Sequence, residues 1–369
     1  MKVMLVIPYN PLEEVGGLEL GTLRLAKDMR RCGVETIIVT KGTTGNFEGI
    51  SIIGFPSLPE IGRYLINNLD IFDIVHWLEI FPDSGEVDIQ AMISRLLRSF
   101  GKKVIFMVAT SGNLENRGTG ELTTPLIKSC ADAYVISNTD QVLEFAKAGI
   151  DSNLVNIIGF GVDASNVFKP VDELEKAKLR VALGLPKDKI LCLFVGRFVE
   201  RKRPDFLLKA WSSLDDLYDK TELVIVGSGM QQHDSIESSV VGLAKDAKHV
   251  FFRDITDCPH EYYQACDILL LPSSREGQPN VLLEAMACGN AVIGSDIAGI
   301  NELLLDKING ITFDPNNHGN FTEAIRLLVN NKDLCLKYGN VARQDIMAKK
   351  DLSIVTEQYL NLYNKKERK

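Results

Sequence analysis

The feature that most constrains this chain is a rhythm. Short runs rich in Val, Ile and Leu alternate with longer stretches patterned like amphipathic helices. A strand open to solvent on one side alternates apolar with polar residues. A run without that alternation is covered on both faces, as a parallel strand flanked by helices is. In the first half such runs fall at residues 2–8, 36–40, 50–55, 73–78, 104–109, 133–137 and 155–160; a helical stretch at 18–31 closes on Gly33. The rhythm breaks at 161–170. A helical stretch at 173–183 follows, ended by Gly184 and Pro186, and the runs resume at 190–195, 222–226, 250–252, 268–271, 291–294 and 311–313. Helical segments near 321–330, 332–349 and 353–364 complete the chain. The pattern predicts an α/β protein of two tandem Rossmann-like, doubly wound domains facing a cleft. Function is expected in loops at the carboxyl ends of the strands.

The length of 369 residues suits two such domains. A net charge of −8 argues against a nucleic-acid binder drawn by a global basic field, but not against a small basic pocket for one phosphorylated ligand. Cys32, Cys130, Cys192, Cys258, Cys266, Cys288 and Cys335 are scattered without C-x-x-C spacing, which predicts neither a disulfide framework nor a zinc site. His76, His233, His249, His260 and His318 show no metal-ligand spacing. The apolar start is too short for a signal peptide, and no stretch approaches the roughly 20 apolar residues that span a bilayer. The expectation is a cytoplasmic protein. Arg95, Arg98, Lys102 and Lys103 around Leu96, Leu97 and Phe100 leave peripheral membrane contact open, although an ordinary solvated helix face explains them better.

Three elements could carry chemistry. In the stretch from Arg275 to Gly289, a strand exit loop runs through Pro279 into a helix closed by Gly289. The start of that helix favours anions. Glu276 precedes the helix and Glu284 lies within it; a carboxylate's paired oxygens match a vicinal diol. The second element, Gly196-Arg197 with Lys202, leaves another strand end and offers a guanidinium fork and an ammonium to a diphosphate. The third is Gly16-Gly17, where backbone amides can approach a phosphate closely. A competing motif, Gly227-Ser228-Gly229, begins like a dinucleotide fingerprint and suggests an oxidoreductase, but Gln232 stands where the third glycine belongs.

In this order and on these elements, the motifs resemble the retaining glycosyltransferases of family 4, which have the GT-B fold. Gly161-Val162-Asp163 with Phe168 and Pro170 adds to the likeness, as does Cys266-Asp267 running into Leu270-Leu271-Pro272-Ser273. The resemblance implies an acceptor-binding domain at 1–165, a donor-binding domain at 166–345, and a helix at 346–369 crossing back onto the first. It implies transfer of a hexose-type unit from a nucleotide-diphosphate sugar to a hydroxyl of a glycan, lipid or small molecule, without metal or other cofactor. Arg197 and Lys202 would hold the diphosphate, Glu276 the sugar hydroxyls and Glu284 the ribose. Gly277, Gln278, Asn280, Val281 and Leu282 would line sugar and phosphate, Ile255 would lie by the base, and Gly16 and Gly17 would face the diphosphate. Arg197, Lys202 and Glu276 would be the catalytic group. Two positions depart from the family pattern: Ser111 stands where a histidine is usual, and Phe160 replaces an asparagine at the junction. No general base is therefore named, and a non-catalytic sugar-nucleotide-binding regulator is the alternative reading.

Overall fold

The computed structural model describes residues 1–13, 16–81, 83, 85–108, 128–229 and 234–365. The chain forms two compact units, Met1–Gly161 with Leu352–Lys369, and Val162–Asp351. These divisions differ from the expected 165/166 and 345/346. Val162 is bridged to Asp351 within the second unit, whereas a Cβ on Gly161 would come 3.0 Å from the Leu352 Cα of the first.

The first unit opens with β1 (Lys2–Ile7), α1 (Gly17–Arg31), β2 (Glu35–Lys41), β3 (Gly45–Phe47) and β4 (Ile50–Phe55). It continues with α2 (Leu58–Asn67), β5 (Ile74–Trp77), α3 (Glu86–Ser99), β6 (Lys103–Val108), β7 (Ala133–Ile136), α4 (Asp140–Lys147) and β8 (Val155–Ile157). Its sheet runs β3-β4-β2-β1-β5-β6-β7-β8, parallel except for the short edge strand β3. Along β1, Met4 and Val6 enter one core while Val3, Leu5 and Ile7 enter the other. Burial on both faces is why the strand reads as unbroken apolar sequence.

The second unit contains α5 (Glu173–Ala182), β9 (Ile190–Val195), α6 (Pro204–Trp211), β10 (Thr221–Val226), α7 (Glu237–Asp246), β11 (Val250–Arg253) and α8 (Pro259–Ala265). Then come β12 (Ile268–Leu271), α9 (Asn280–Cys288), β13 (Ala291–Ser295), α10 (Ala298–Asn301), β14 (Ile311–Phe313), α11 (His318–Val329) and α12 (Lys332–Lys349). The sheet order is β11-β10-β9-β12-β13-β14, all parallel. The chain builds outward from β9 to β11, then returns to place β12 on the other flank of β9. The order therefore reverses between β9 and β12, where the loops leaving the two strands diverge and open a crevice. Again alternate residues divide between two cores: Leu191 and Leu193 face α9, while Cys192 and Phe194 face α6.

The last helix, α13 (Leu352–Asn364), belongs to the first unit. Val355, Tyr359, Leu362 and Tyr363 join α1 in covering one face of the first sheet. The Tyr359 hydroxyl donates to the Gly159 carbonyl at 2.8 Å, and Tyr363 Oη lies 2.8 Å from His76 Nδ1. Lys103 Nζ caps the helix end by donating to the carbonyls of Leu362, Tyr363 and Lys365. The other basic residues of that stretch are similarly engaged: Arg95 with Ser129, Arg98 with Asp132, and Lys102 with the Phe72 carbonyl. They are thus tied into their own unit, while Phe100 stays half exposed. No helix among the described residues is long and apolar enough to cross a membrane.

Candidate active site

The reversal between β9 and β12 brings two of the sequence motifs together. Beyond β9, Gly196 and Arg197 lead into a 3₁₀ turn, Glu200–Lys202, and then into Arg203. Arg203 is left-handed (φ 54°), its guanidinium stacks on Phe206, and Pro204 starts α6. This tight reversal turns Lys202 inward, leaving it only 8% exposed. Beyond β12 the chain loops through Glu276, also 8% exposed, into α9. Lys202 Nζ lies 2.5 Å from Glu276 Oε1, and Arg201 Nη1 lies 3.3 Å from Glu276 Oε2. The two loops are also joined by backbone, since Ser274 N–H donates to the Arg201 carbonyl at 2.8 Å.

Burial would raise the Glu276 carboxyl, but the Lys202 and Arg201 charges outweigh it and hold the group below its ordinary range. Burial pushes the Lys202 ammonium down, and Arg201 and Arg197 add to that against the opposing pull of Glu276. Two cations, Lys202 and Arg201, therefore share one carboxylate at the strand exits, and Arg197 is near enough for its charge to act on Lys202. That excess of positive charge beside the start of α9 suits a bound polyanion such as a diphosphate.

Glu284 lies inside α9, 4% exposed, and accepts a hydrogen bond from the Tyr263 hydroxyl at 2.9 Å. Gly277, Gln278, Asn280, Val281 and Leu282 follow Glu276 into the first turns of α9; Asn280 and Leu282 are buried and the other three half-buried. Ile255, half exposed, lies past the edge strand β11, with β10 between that strand and β9. Gly16 and Gly17 are in the first unit, where Gly16 is the extended residue before α1 and Gly17 opens the helix. Ser111 lies outside the described residues.

Sequence reasoning assigned no role to Arg201, Tyr263 or Gly299. Arg201 was visible beside Lys202, but only the fold shows that it shares Glu276. A Cβ on Gly299, in α10, would come 2.2 Å from the Glu276 carbonyl oxygen and 2.5 Å from that of Gly277. The absent side chain lets α10 press against the back of the loop, which a glycine in isolation does not signal.

The competing dinucleotide motif resolves differently. After Gly227 the next helix among the described residues, α7, begins at Glu237. The Gly227 loop packs on the β9 exit: Phe198 N–H donates to the Ser228 carbonyl at 2.8 Å, and a Cβ on Gly227 would meet the Gly196 carbonyl at 1.9 Å. The described histidines are occupied structurally. His76 meets Tyr363, His249 pairs with Glu222, His260 edges onto Phe168 and His318 packs on Phe206.

Similarity to known proteins agrees with this geometry. The fold matches the sucrose-phosphate synthase of Thermosynechococcus elongatus with a TM-score of 0.81, at 19% identity over 98% of both chains. It matches Anabaena Alr3699/HepE in complex with UDP-glucose with a TM-score of 0.80, at 17% identity over 98% of this chain and 99% of that one. The class is thus a two-domain α/β protein of the GT-B glycosyltransferase fold. Within it, residues 175–345, all in the second unit, match the family described as glycosyl transferases group 1. The chain is also 25% identical over 361 residues to the D-inositol 3-phosphate glycosyltransferase of Xylanimonas cellulosilytica, covering 84% of each. Fold and sequence together support a glycosyltransferase.

Proposed function

We propose that the protein is a retaining, metal-independent glycosyltransferase that moves a hexose-type sugar from a nucleotide-diphosphate donor to an acceptor hydroxyl. The observation that carries this reading is the buried Lys202–Glu276 pair, 2.5 Å apart, where the exits of β9 and β12 diverge. The likeness to a fold seen with UDP-glucose supports the donor class.

In this reading Arg197, Lys202 and the start of α9 hold the diphosphate and supply the positive charge that a metal gives elsewhere. Glu276 meets hydroxyls of the transferred sugar, and Glu284 accepts from the ribose diol. The bond from the anomeric carbon to the phosphate oxygen breaks, and the diphosphate leaves with both electrons. The acceptor oxygen bonds to the same face of that carbon, and its proton passes to the departing phosphate oxygen, so no protein base is needed.

The test is incubation with nucleotide sugars whose base and sugar are varied separately, measuring nucleoside diphosphate release and the anomeric configuration of the product. Release above the uncatalysed rate, unchanged by a chelator, with the donor's configuration kept, is the expected result. Glu284→Ala should weaken nucleotide binding. Inversion of configuration, or loss of rate to the chelator, would refute the corresponding part of the reading.

A further inference from the structure

We infer that Tyr263 is a positioning residue that aims Glu284 at the ribose and thereby sets discrimination between ribo- and deoxyribonucleotide donors. This rests on the reading of Glu284 given above and assigns a role to a residue in a different helix.

Tyr263 is fully buried in α8, and its hydroxyl donates to Glu284 Oε2 at 2.9 Å. Its ring is held by Phe168, with centroids 6.1 Å apart. Its backbone is held from the far end of α9. Asn290, just past the Gly289 cap, donates through Nδ2 to the Tyr263 carbonyl at 2.9 Å and to the Cys266 carbonyl at 2.9 Å. The helix that carries Glu284 is thus tied to the helix that carries Tyr263 at two places, one between two side chains and one from the Asn290 side chain to backbone carbonyls. α9 is itself fixed against α12, where a Cβ on Gly339 would meet the Gly289 carbonyl at 2.0 Å.

The consequence is geometric. A glutamate has three side-chain torsions, and recognition of a vicinal diol requires its oxygens to stay in one plane and place. The Tyr263 hydroxyl fixes one oxygen from behind. A carboxylate anchored this way keeps its remaining acceptor capacity in a set direction, so the entropic cost of aligning it is met by the fold before ligand arrives. A site built to bond a hydroxyl also penalises a ligand that lacks it, because the buried acceptor is then left without its partner.

The experiment measures dissociation constants by calorimetry for UDP, GDP, ADP and CDP, then for the 2′-deoxy counterpart of the tightest binder. Wild type, Tyr263→Phe and Glu284→Gln are compared. Wild type should prefer the ribonucleotide by about tenfold or more, the range of a hydrogen bond to a charged group. Tyr263→Phe should weaken the ribonucleotide more than the deoxyribonucleotide and cut that ratio about threefold or more. Equal weakening of both, with the ratio kept, would mean a merely structural tyrosine and overturns the inference alone. If Glu284→Gln leaves the ratio intact, or no diphosphate binds, the ribose reading itself falls and takes the inference with it. Should Tyr263→Phe fail to fold, Phe168→Leu, which loosens the wall of the Tyr263 ring and leaves Glu284 in place, should also lower the ratio; a ratio kept at the wild-type value would overturn the inference.

Discussion

The two sheets of this molecule share a topology and differ in what they put at the same place. Each reverses strand order beside its first strand, between β1 and β5 in one unit and between β9 and β12 in the other. Beyond β9 and β12 sit Arg201, Lys202 and Glu276, charged and largely buried. Beyond β5 sit buried Ile80 and Phe81 and a buried glutamate, Glu79, whose Oε1 accepts from the Ile80 N–H at 2.8 Å. Gln90 completes that corner by donating to the Glu79 carbonyl at 3.0 Å and accepting from the Phe81 N–H. Among the described residues, one strand exit gathers cations, while the β5 exit gathers apolar side chains and a glutamate turned onto its own backbone. Doubly wound topology supplies a crevice; the exit-loop side chains decide what it can hold.

The sharpest way to break this contrast is to discharge the second crevice. Lys202→Ala should cut the rate of nucleoside diphosphate release by about 10²–10³-fold, the range for removing a donor that stabilises developing charge. The variant also leaves Arg201 as the ion-pair partner of Glu276. A rate within a few-fold of wild type would show that the cluster is structural. Gly299→Ala comes next. Its methyl group would press on the Glu276 and Gly277 carbonyls and shift the loop, so activity should fall by about tenfold or more while the circular dichroism of the fold persists. An unchanged rate would show that the loop tolerates displacement.

Acid should separate the units as well. Burial pushes His76 in the first unit down to about 3 from 6.5, so the folded protein keeps it neutral where the unfolded chain takes up a proton. Stability should therefore fall as pH drops below about 6.5, by ~2 kcal/mol at pH 5. Glu276, held below its usual 4.5, contributes stability that is present above that value and lost only as pH falls further. Thermal melts of wild type and His76→Gln from pH 7 to pH 4 test this. The wild type should lose stability in the upper part of that range and the variant should not; parallel curves would remove His76 as the cause. The smallest effect concerns the returning helix. Lys103→Ala removes the donor to the Leu362 and Tyr363 carbonyls of α13 and to that of Lys365 just past it, and should cost about 0.5–1 kcal/mol in denaturant unfolding. It should leave nucleotide affinity unchanged.

Much of this was legible along the chain because burial on both faces leaves a local trace. The runs at 190–195 and 268–271 contain β9 and β12 almost residue for residue, and Gly289 is the left-handed cap (φ 80°) at the end of α9. Lys202 and Glu276 could be named for their place on strand exits. Their contact could not, because it depends on β12 returning to flank β9 rather than extending the sheet beyond β11. Tyr263 gave no signal, since a tyrosine beside a second tyrosine in a short helix reads as core. The basic stretch around Arg98 shows the same limit: its partners Asp132 and the end of α13 are remote in sequence, so the chain alone did not show what engages it.

By itself, then, the sequence determined the alternation of strands and helices, the two sheets and the identity of the charged residues at strand ends, because periodicity and composition are local properties of a chain. Tertiary structure alone decided that Lys202 and Arg201 share one carboxylate, that Gly299 backs the Glu276 loop, and that Tyr263 holds Glu284. Each joins segments between 21 and 75 residues apart. Contacts at that separation are set by strand order and helix packing, which no run of neighbouring residues encodes.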